Sequence, residues 1–85
     1  DAEKTLRLAL DADPASGDTA NNLAVIHHLR GDSDSSCRML KAALRLERGH
    51  AFAHANLGME HLFRGESSRA ISELRKARRL SHDVL

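Results

Sequence analysis

Apolar residues recur along this chain at helical spacing, and short polar turns separate them. In two stretches a small or apolar side chain returns after four, three and three residues, which places it on one face of an α-helix. The residues with this spacing are Ser36, Leu40, Ala43 and Leu46, then Ala70, Leu74, Ala77 and Leu80. The whole pattern predicts five helices, at 1–12, 17–30, 33–47, 51–64 and 67–81.

The residues at two of the predicted turns suit the ends of helices. Gly31 and Gly65 can adopt a positive φ angle and so end the helices that precede them. Asp32 or Ser33 can cap the following helix by accepting hydrogen bonds from its first amide groups, and Ser67 can do the same in the later copy. We therefore expect helix hairpins joined by tight turns.

The chain repeats itself with a period of 34 residues, and the identities are too well phased for chance. The matching pairs include Asn22/Asn56, Leu23/Leu57, His27/His61, Arg30/Arg64, Gly31/Gly65, Ser33/Ser67, Leu40/Leu74, Ala43/Ala77, Arg45/Arg79 and Leu46/Leu80. We interpret 17–50 and 51–84 as complete helix–turn–helix units, and 1–14 as the second helix of a preceding unit. Such units stack because one hairpin cannot bury its own apolar face.

This pattern resembles the tetratricopeptide repeat family over nearly the whole chain. The matching residues are Asn22-Leu23-Ala24, Arg30-Gly31-Asp32, Leu40, Ala43 and Leu46, then Asn56-Leu57-Gly58, Arg64-Gly65-Glu66, Ala70, Leu74, Ala77 and Leu80, with Asp13-Pro14 in the partial unit. The family's frequent Trp is Ala20 or His54 here, and its frequent Tyr is His27 or His61. The resemblance implies an all-α fold, a right-handed α-solenoid of antiparallel helix pairs with two full units and a preceding half unit.

The resemblance also implies where a partner binds, because the first helix of each unit lines a concave groove in this family. The matching positions are Asp18, Asn21, Asn22, Val25, His28 and Leu29, then Phe52, Ala55, Asn56, Met59, Leu62 and Phe63. This apolar-leaning surface suits a short peptide or an amphipathic helix of another protein, whose backbone Asn22 and Asn56 can hydrogen-bond. Individual members of the set can instead pack against a neighbouring unit. The Lys and Arg clamp with which chaperone-cofactor members hold a terminal carboxylate is absent from these positions.

Composition narrows the class of protein. With 85 residues the chain forms one small domain at most, and it is too short for a nucleotide-binding α/β fold or a TIM barrel, which need roughly 150–250 residues. One cysteine excludes a disulfide framework and a multi-cysteine zinc site, and it fits the cytoplasm without excluding the periplasm. The predominance of Arg over Lys favours a bacterial source. We expect no membrane insertion of this segment, which we interpret as part of a longer array.

Charge is distributed unevenly although the net charge is only +1. Residues 1–34 carry −4 and residues 35–85 carry +5. The basic half either forms ordinary solvated faces or steers an acidic partner towards the molecule. A basic run, Arg75, Lys76, Arg78 and Arg79, lies in the last predicted helix without interleaved aromatic residues, so we expect no nucleic-acid binding.

Candidates for chemistry are few. His50 and His54 are four residues apart, but transition-metal sites usually need three or four converging ligands, so we expect no metal and no cofactor. Cys37 is either a small buried side chain or a reactive thiolate at a helix start. The Arg30-Gly31-Asp32 tripeptide falls in a turn where the repeat itself requires glycine and an acid. No catalytic constellation is present, and we expect no enzyme activity.

Two functional hypotheses remain from the sequence. The favoured one is a protein–protein interaction scaffold that holds a peptide or helix of a partner in the groove, as part of a larger complex. The alternative is a structural array segment that self-associates through its end faces and so forms homo-oligomers.

Overall fold

The structure, a computed structural model, describes residues 16–83, and within them the chain is helical with no strand. The helices are α1 (Gly17–Leu29), α2 (Ser33–Leu46), α3 (Ala51–Phe63) and α4 (Ser67–Asp83). Each begins at the residue that the sequence predicts and ends within two residues of the predicted end. The helix predicted at 1–12 lies outside the described residues.

The four helices form two antiparallel hairpins, α1–α2 and α3–α4, that stack side by side. The second helix of the first hairpin, α2, packs against both α1 and α3, and so joins the two hairpins. The predicted all-α solenoid architecture is confirmed. Among residues 16–83, no helix has the length and apolar character needed to cross a membrane.

Both hairpin turns have the same geometry, 34 residues apart. Gly31 has φ +80° and Gly65 has φ +76°, as the helix-ending role of these glycines requires. In the first turn the amide of Asp32 donates to the carbonyl of His27 at 2.9 Å, and in the second the amide of Glu66 donates to that of His61 at 2.8 Å. These are Schellman-type ends, in which a left-handed glycine lets the chain reverse and satisfy the last carbonyl groups. The sequence repeat is therefore also a repeat of backbone structure.

Side chains cap the starts of three helices. The Asp32 carboxylate accepts from the amide of Ser35 at 3.0 Å, which confirms its predicted capping role for α2. Ser16 caps α1 through its hydroxyl, and His50, at the equivalent position of the repeat, caps α3 through a ring nitrogen. A side-chain acceptor at these positions satisfies amide groups that have no partner within the helix.

The core consists mainly of small and branched aliphatic side chains that let the helices approach closely. Its buried members are Ala20, Ala24, Cys37, Leu40, Ala43, Ala53 and Leu57. Gly58 shows how close the approach is. A Cβ at this position would lie 2.8 Å from Cγ of Leu74 and 3.2 Å from the carbonyl oxygen of Ala70, both in α4. This residue is therefore small where the helices of the hairpin cross.

Candidate protein-binding groove

The surface between α1 and α3 exposes a row of large apolar side chains. Val25 and Leu29 lie one turn apart on α1, and Met59 and Phe63 lie one turn apart on α3. Their exposed fractions range from 38% for Val25 to 75% for Leu29. Phe52 and Leu62, also on α3, are more than half exposed. The six apolar residues larger than alanine that the sequence assigned to the groove are therefore all accessible.

The two helices that carry this row contact each other across it. The ring of His28 on α1 meets the ring of Phe63 on α3 edge to face, with centroids 5.9 Å apart. Between the helices lies a cavity of about 220 Å³, lined by Ala24, Val25, His28, Ser36, Asn56, Met59 and Glu60. It has room for one side chain of a ligand, and both apolar and polar atoms line it.

Asn22 and Asn56, predicted to hydrogen-bond the backbone of a bound peptide, differ in whether their side chains already have a partner. The Nδ2 of Asn56 donates to the Oδ1 of Asn21 at 3.0 Å, and Asn21 itself is buried. These two side chains therefore hold α1 and α3 together at the inner edge of the groove. Asn22 is exposed, and its side chain makes no hydrogen bond within residues 16–83. It lies three residues before Val25 on α1, so it shares the accessible face.

A buried carboxylate lies at the base of the cavity. Glu60 is 2% exposed and accepts from Oγ of Ser33 at 2.6 Å and from Oγ of Ser36 at 3.2 Å. Its Oε1 is also hydrogen-bonded to Nδ1 of His28. Burial of a carboxylate is tolerated when such partners replace water. Because the partners belong to α1 and α2, Glu60 joins the second hairpin to both helices of the first.

Arg64, directly after α3, makes a further polar connection between the hairpins. Its guanidinium donates to Oγ of Ser33 at 3.0 Å and to the carboxylate of Asp34. The hydrogen bond to Asp34 raises the pKa of Arg64 above its usual value. Both residues lie at the start of α2, so this connection is at the edge of the stack rather than in the groove.

The sequence did not predict the role of Glu60. The repeat places Ile26 at the equivalent position of α1, and nothing in the local pattern indicates that an acid is buried there. The available signal was the exchange of an apolar residue for an acid at one point of an otherwise close repeat. The partners of that acid come from two other helices, and only the fold brings them together.

His50 and His54, the histidine pair that the sequence offers as metal ligands, have different hydrogen-bond partners. His50 is hydrogen-bonded to Asp18 at 2.6 Å, whereas His54 is hydrogen-bonded to Glu73 at 2.6 Å and to the carbonyl of Arg48 at 2.9 Å. Among residues 16–83, one cluster, Asp18 with Glu47 and His50, has side-chain atoms close enough to share an ion. Nδ1 of His50 accepts the amide of Ala53, so the ring proton lies on Nε2 and is donated to Asp18. In this tautomer the lone pair of the neutral ring, on Nδ1, is already used by the amide of Ala53.

Cys37 has the character of a packing residue. It is 8% exposed, and burial raises the pKa of its thiol. A raised pKa favours the uncharged thiol, which is a weak nucleophile. Of the two predicted alternatives, the structure favours the small buried side chain.

Solved structures of MamA share the architecture of this chain. A crystal structure of MamA matches with a TM-score of 0.84 at 16% identity, over 95% of this chain and 47% of that chain. MamA MSR-1 matches with 0.82 at 21% identity, over 94% and 46%, and MamA AMB-1 with 0.77 at 23% identity, over 88% and 44%. These likenesses show the fold, a helical repeat solenoid. The chain spans less than half the length of these structures. No family model and no curated protein matches it in sequence.

Proposed function

We propose that this chain is a protein-interaction scaffold module that binds a short apolar peptide or an amphipathic helix in the groove between α1 and α3. The observation that carries the proposal is the exposed apolar row, Val25 and Leu29 on one side and Met59 and Phe63 on the other. Contiguous exposed apolar surface is costly in water and commonly marks an interaction site. The resemblance to the tetratricopeptide repeat family supports the same assignment.

The groove offers each part of an amphipathic ligand a counterpart. Apolar side chains of the ligand pack on the row, and the flexible side chain of Met59 adapts to their shape. One side chain enters the cavity of about 220 Å³ beside His28. Asn22 is free to hydrogen-bond the backbone of an extended ligand. A bound helix would present its residues at i, i+3, i+4 and i+7, as in other helix-in-groove complexes.

A double substitution tests this proposal. Met59→Glu with Phe63→Glu places two charges in the apolar row, and we expect it to abolish binding of a partner identified by cross-linking to the unmodified protein. Both side chains are more than half exposed, so helicity should be retained. The matched control is Ser68→Glu with Ser81→Glu, which adds the same charge at exposed sites on α4. Binding that survives the first pair, or is lost equally with the second, would refute the groove assignment.

A second function is favoured by a different observation, on α4. Ile71 is 50% exposed and Leu74 is 36% exposed. Their repeat equivalents on α2, Cys37 and Leu40, are buried in the core, and α2 is the helix against which the second hairpin packs. The outer face of α4 can therefore take a further hairpin, and self-association through this face is the alternative proposal. Sedimentation velocity over a range of concentrations tests it. Ile71→Glu should remove any concentration dependence, and a wild-type protein that stays monomeric throughout contradicts the alternative.

A further inference from the structure

A second groove lies on the opposite face of α3 from the apolar row. It has a volume of about 750 Å³ and lies between α2 and α4. Its lining consists of Lys41, Leu44 and Arg45 from α2, Arg48 from the turn that follows α2, His54, Leu57 and His61 from α3, and Arg69, Ser72, Glu73 and Lys76 from α4. On α3, the residues facing this basic groove recur at helical spacing, at 54, 57 and 61, on the other side of the helix from Met59 and Phe63. A partner in one groove does not occupy the other.

The charge of the basic groove is strongly unbalanced. Five of its lining residues are Lys or Arg, and its one carboxylate, Glu73, is already contacted by His54 at 2.6 Å and by Lys76 at 3.5 Å. Within residues 16–83, the side chains of Lys41, Arg45 and Arg48 make no ion pair. Positive charge that the protein does not neutralise raises the local concentration of anionic ligands.

The cations form two rows rather than one cluster. Lys41 and Arg45 lie one turn apart on α2, about 6 Å along the helix, and Arg48 follows in the turn after α2. On α4, Arg69 and Lys76 are seven residues apart, and Arg79 extends that row into an adjoining cavity of about 350 Å³. Between the rows the floor includes the apolar side chains of Leu44 and Leu57. Two basic rims over a partly apolar floor suit an elongated ligand with acidic groups along both sides.

This arrangement selects one class of anionic ligand. Sequence-tolerant nucleic-acid grooves combine basic residues with aromatic side chains on which bases stack, and the lining of the basic groove contains neither Phe, Tyr nor Trp. A membrane surface attracts basic residues that project from an amphipathic face with apolar anchors, whereas these cations border a recess between helices. A single phosphate would need the cations to converge at one point.

We propose that the basic groove binds an acidic segment of a partner protein, with Lys41, Arg45 and Arg48 on one rim and Arg69, Lys76 and Arg79 on the other. This inference is independent of the ligand proposed for the apolar row. Together the two grooves give the chain an apolar-ligand face and an acidic-ligand face on opposite sides of α3. The scaffold then connects two different polypeptides rather than holding one.

The test uses a synthetic fluorescein-labelled peptide in which pairs of Glu flank single Leu residues, titrated with the whole protein and followed by fluorescence anisotropy. We expect binding that weakens as salt concentration rises, because the contacts are between exposed charges. Lys41→Glu with Arg45→Glu should weaken binding about tenfold or more, as charge reversal at close pairs does. Lys41→Gln with Arg45→Gln should cause a smaller loss in the same direction. Met59→Glu with Phe63→Glu should leave this affinity unchanged.

The controls separate the basic groove from charge in general. Arg75→Glu with Arg78→Glu changes the net charge by the same amount as Lys41→Glu with Arg45→Glu, but at exposed residues of α4 outside the lining. It should reduce the affinity for the acidic peptide by no more than about twofold. The same peptide with Lys in place of Glu should not bind. An equal loss in both charge-reversal variants overturns the proposal, as does tighter binding of a single-stranded RNA or of phosphatidylserine vesicles than of the acidic peptide. Thermal melts of each variant establish that it is folded.

Discussion

Small side chains set how closely the helices of each hairpin approach. Gly58 on α3 and its repeat equivalent, Ala24 on α1, both lie where the hairpin helices cross, and Ala24 is fully buried. At Gly58 the opposing groups are the side chain of Leu74 and the backbone of Ala70. A backbone oxygen cannot rotate away as a side chain can. A side chain added at position 58 would therefore press against groups of α4 that cannot all move away.

Gly58→Leu should destabilise the protein by about 1–3 kcal/mol, because the added side chain overpacks the crossing of α3 and α4. Urea unfolding followed by circular dichroism measures the loss. Met59→Leu, at the next residue, is the control: its side chain is exposed and its volume hardly changes, so its effect should stay within about 0.5 kcal/mol. Equal stabilities for the two variants would show that α3 faces α4 with a different register.

Asp32 makes the stability of the folded protein depend on pH in a predictable direction. Hydrogen bonds from the side chain and backbone of Ser35 lower the pKa of its carboxyl below its ordinary value of 3.8. A carboxyl with a lowered pKa in the folded state contributes stability above its unfolded pKa, and that contribution is lost as pH falls through the folded pKa. Asn also caps helices but does not titrate.

The melting temperatures of wild type and Asp32→Asn should therefore differ in favour of wild type above pH 3.8 and converge as the pH is lowered below it. Differential scanning calorimetry at a series of pH values gives the difference directly. A difference that grows on acidification would contradict the capping geometry at the start of α2.

At the scale of elements, Glu60 is a buried polar link between the hairpins. It lies on α3, and its partners are His28 on α1 with Ser33 and Ser36 on α2. Removing the carboxylate leaves the buried hydroxyl of Ser36 on α2 without its acceptor, together with the more accessible donors of Ser33 and His28. Such unsatisfied groups cost more than the net gain from a hydrogen bond, because they lose water without replacing it.

Glu60→Ala should therefore destabilise the stack by about 1–3 kcal/mol, measured as the free energy of unfolding in urea. Asp34→Ala is the matched control, since it removes another carboxylate that links the hairpins, one whose side chain is 77% exposed. Exposed ion pairs contribute little to stability, so the control should lose less. A larger loss for Asp34→Ala would mean that the edge of the stack, rather than Glu60, joins the hairpins.

The elements that the sequence predicted well are those fixed by local chemistry. Gly31 and Gly65 end helices because of their own backbone freedom, and Asp32 starts one through an amide three residues away. The burial of Glu60 could not be predicted, since its partners come from two other helices. The basic run predicted at 75–79 is likewise divided by the fold: Lys76 and Arg79 line the cavities between the helices, and Arg75 and Arg78 do not.

At the scale of the whole molecule, stacking two hairpins gives α3 a different chemistry on each of its two open sides. One side contributes Met59 and Phe63 to the apolar row, and the other contributes His54 and His61 to the floor of the basic groove. Along the sequence, basic residues are concentrated after position 34, and only the packing of the helices brings some of them to one side of α3. The same packing places α3 between the two proposed ligands.

Site-specific photo-cross-linking tests the groove most directly. A photoreactive p-benzoylphenylalanine replaces Phe63 in the apolar row of one sample and Arg75 on α4 of another, and mass spectrometry maps the peptides that become attached. We predict that position 63 cross-links to one defined apolar segment of a partner, that Val25→Glu abolishes this product, and that position 75 does not yield it. The same segment attached at both positions, or a product at position 63 that persists with Val25→Glu, would contradict a peptide-binding groove between α1 and α3.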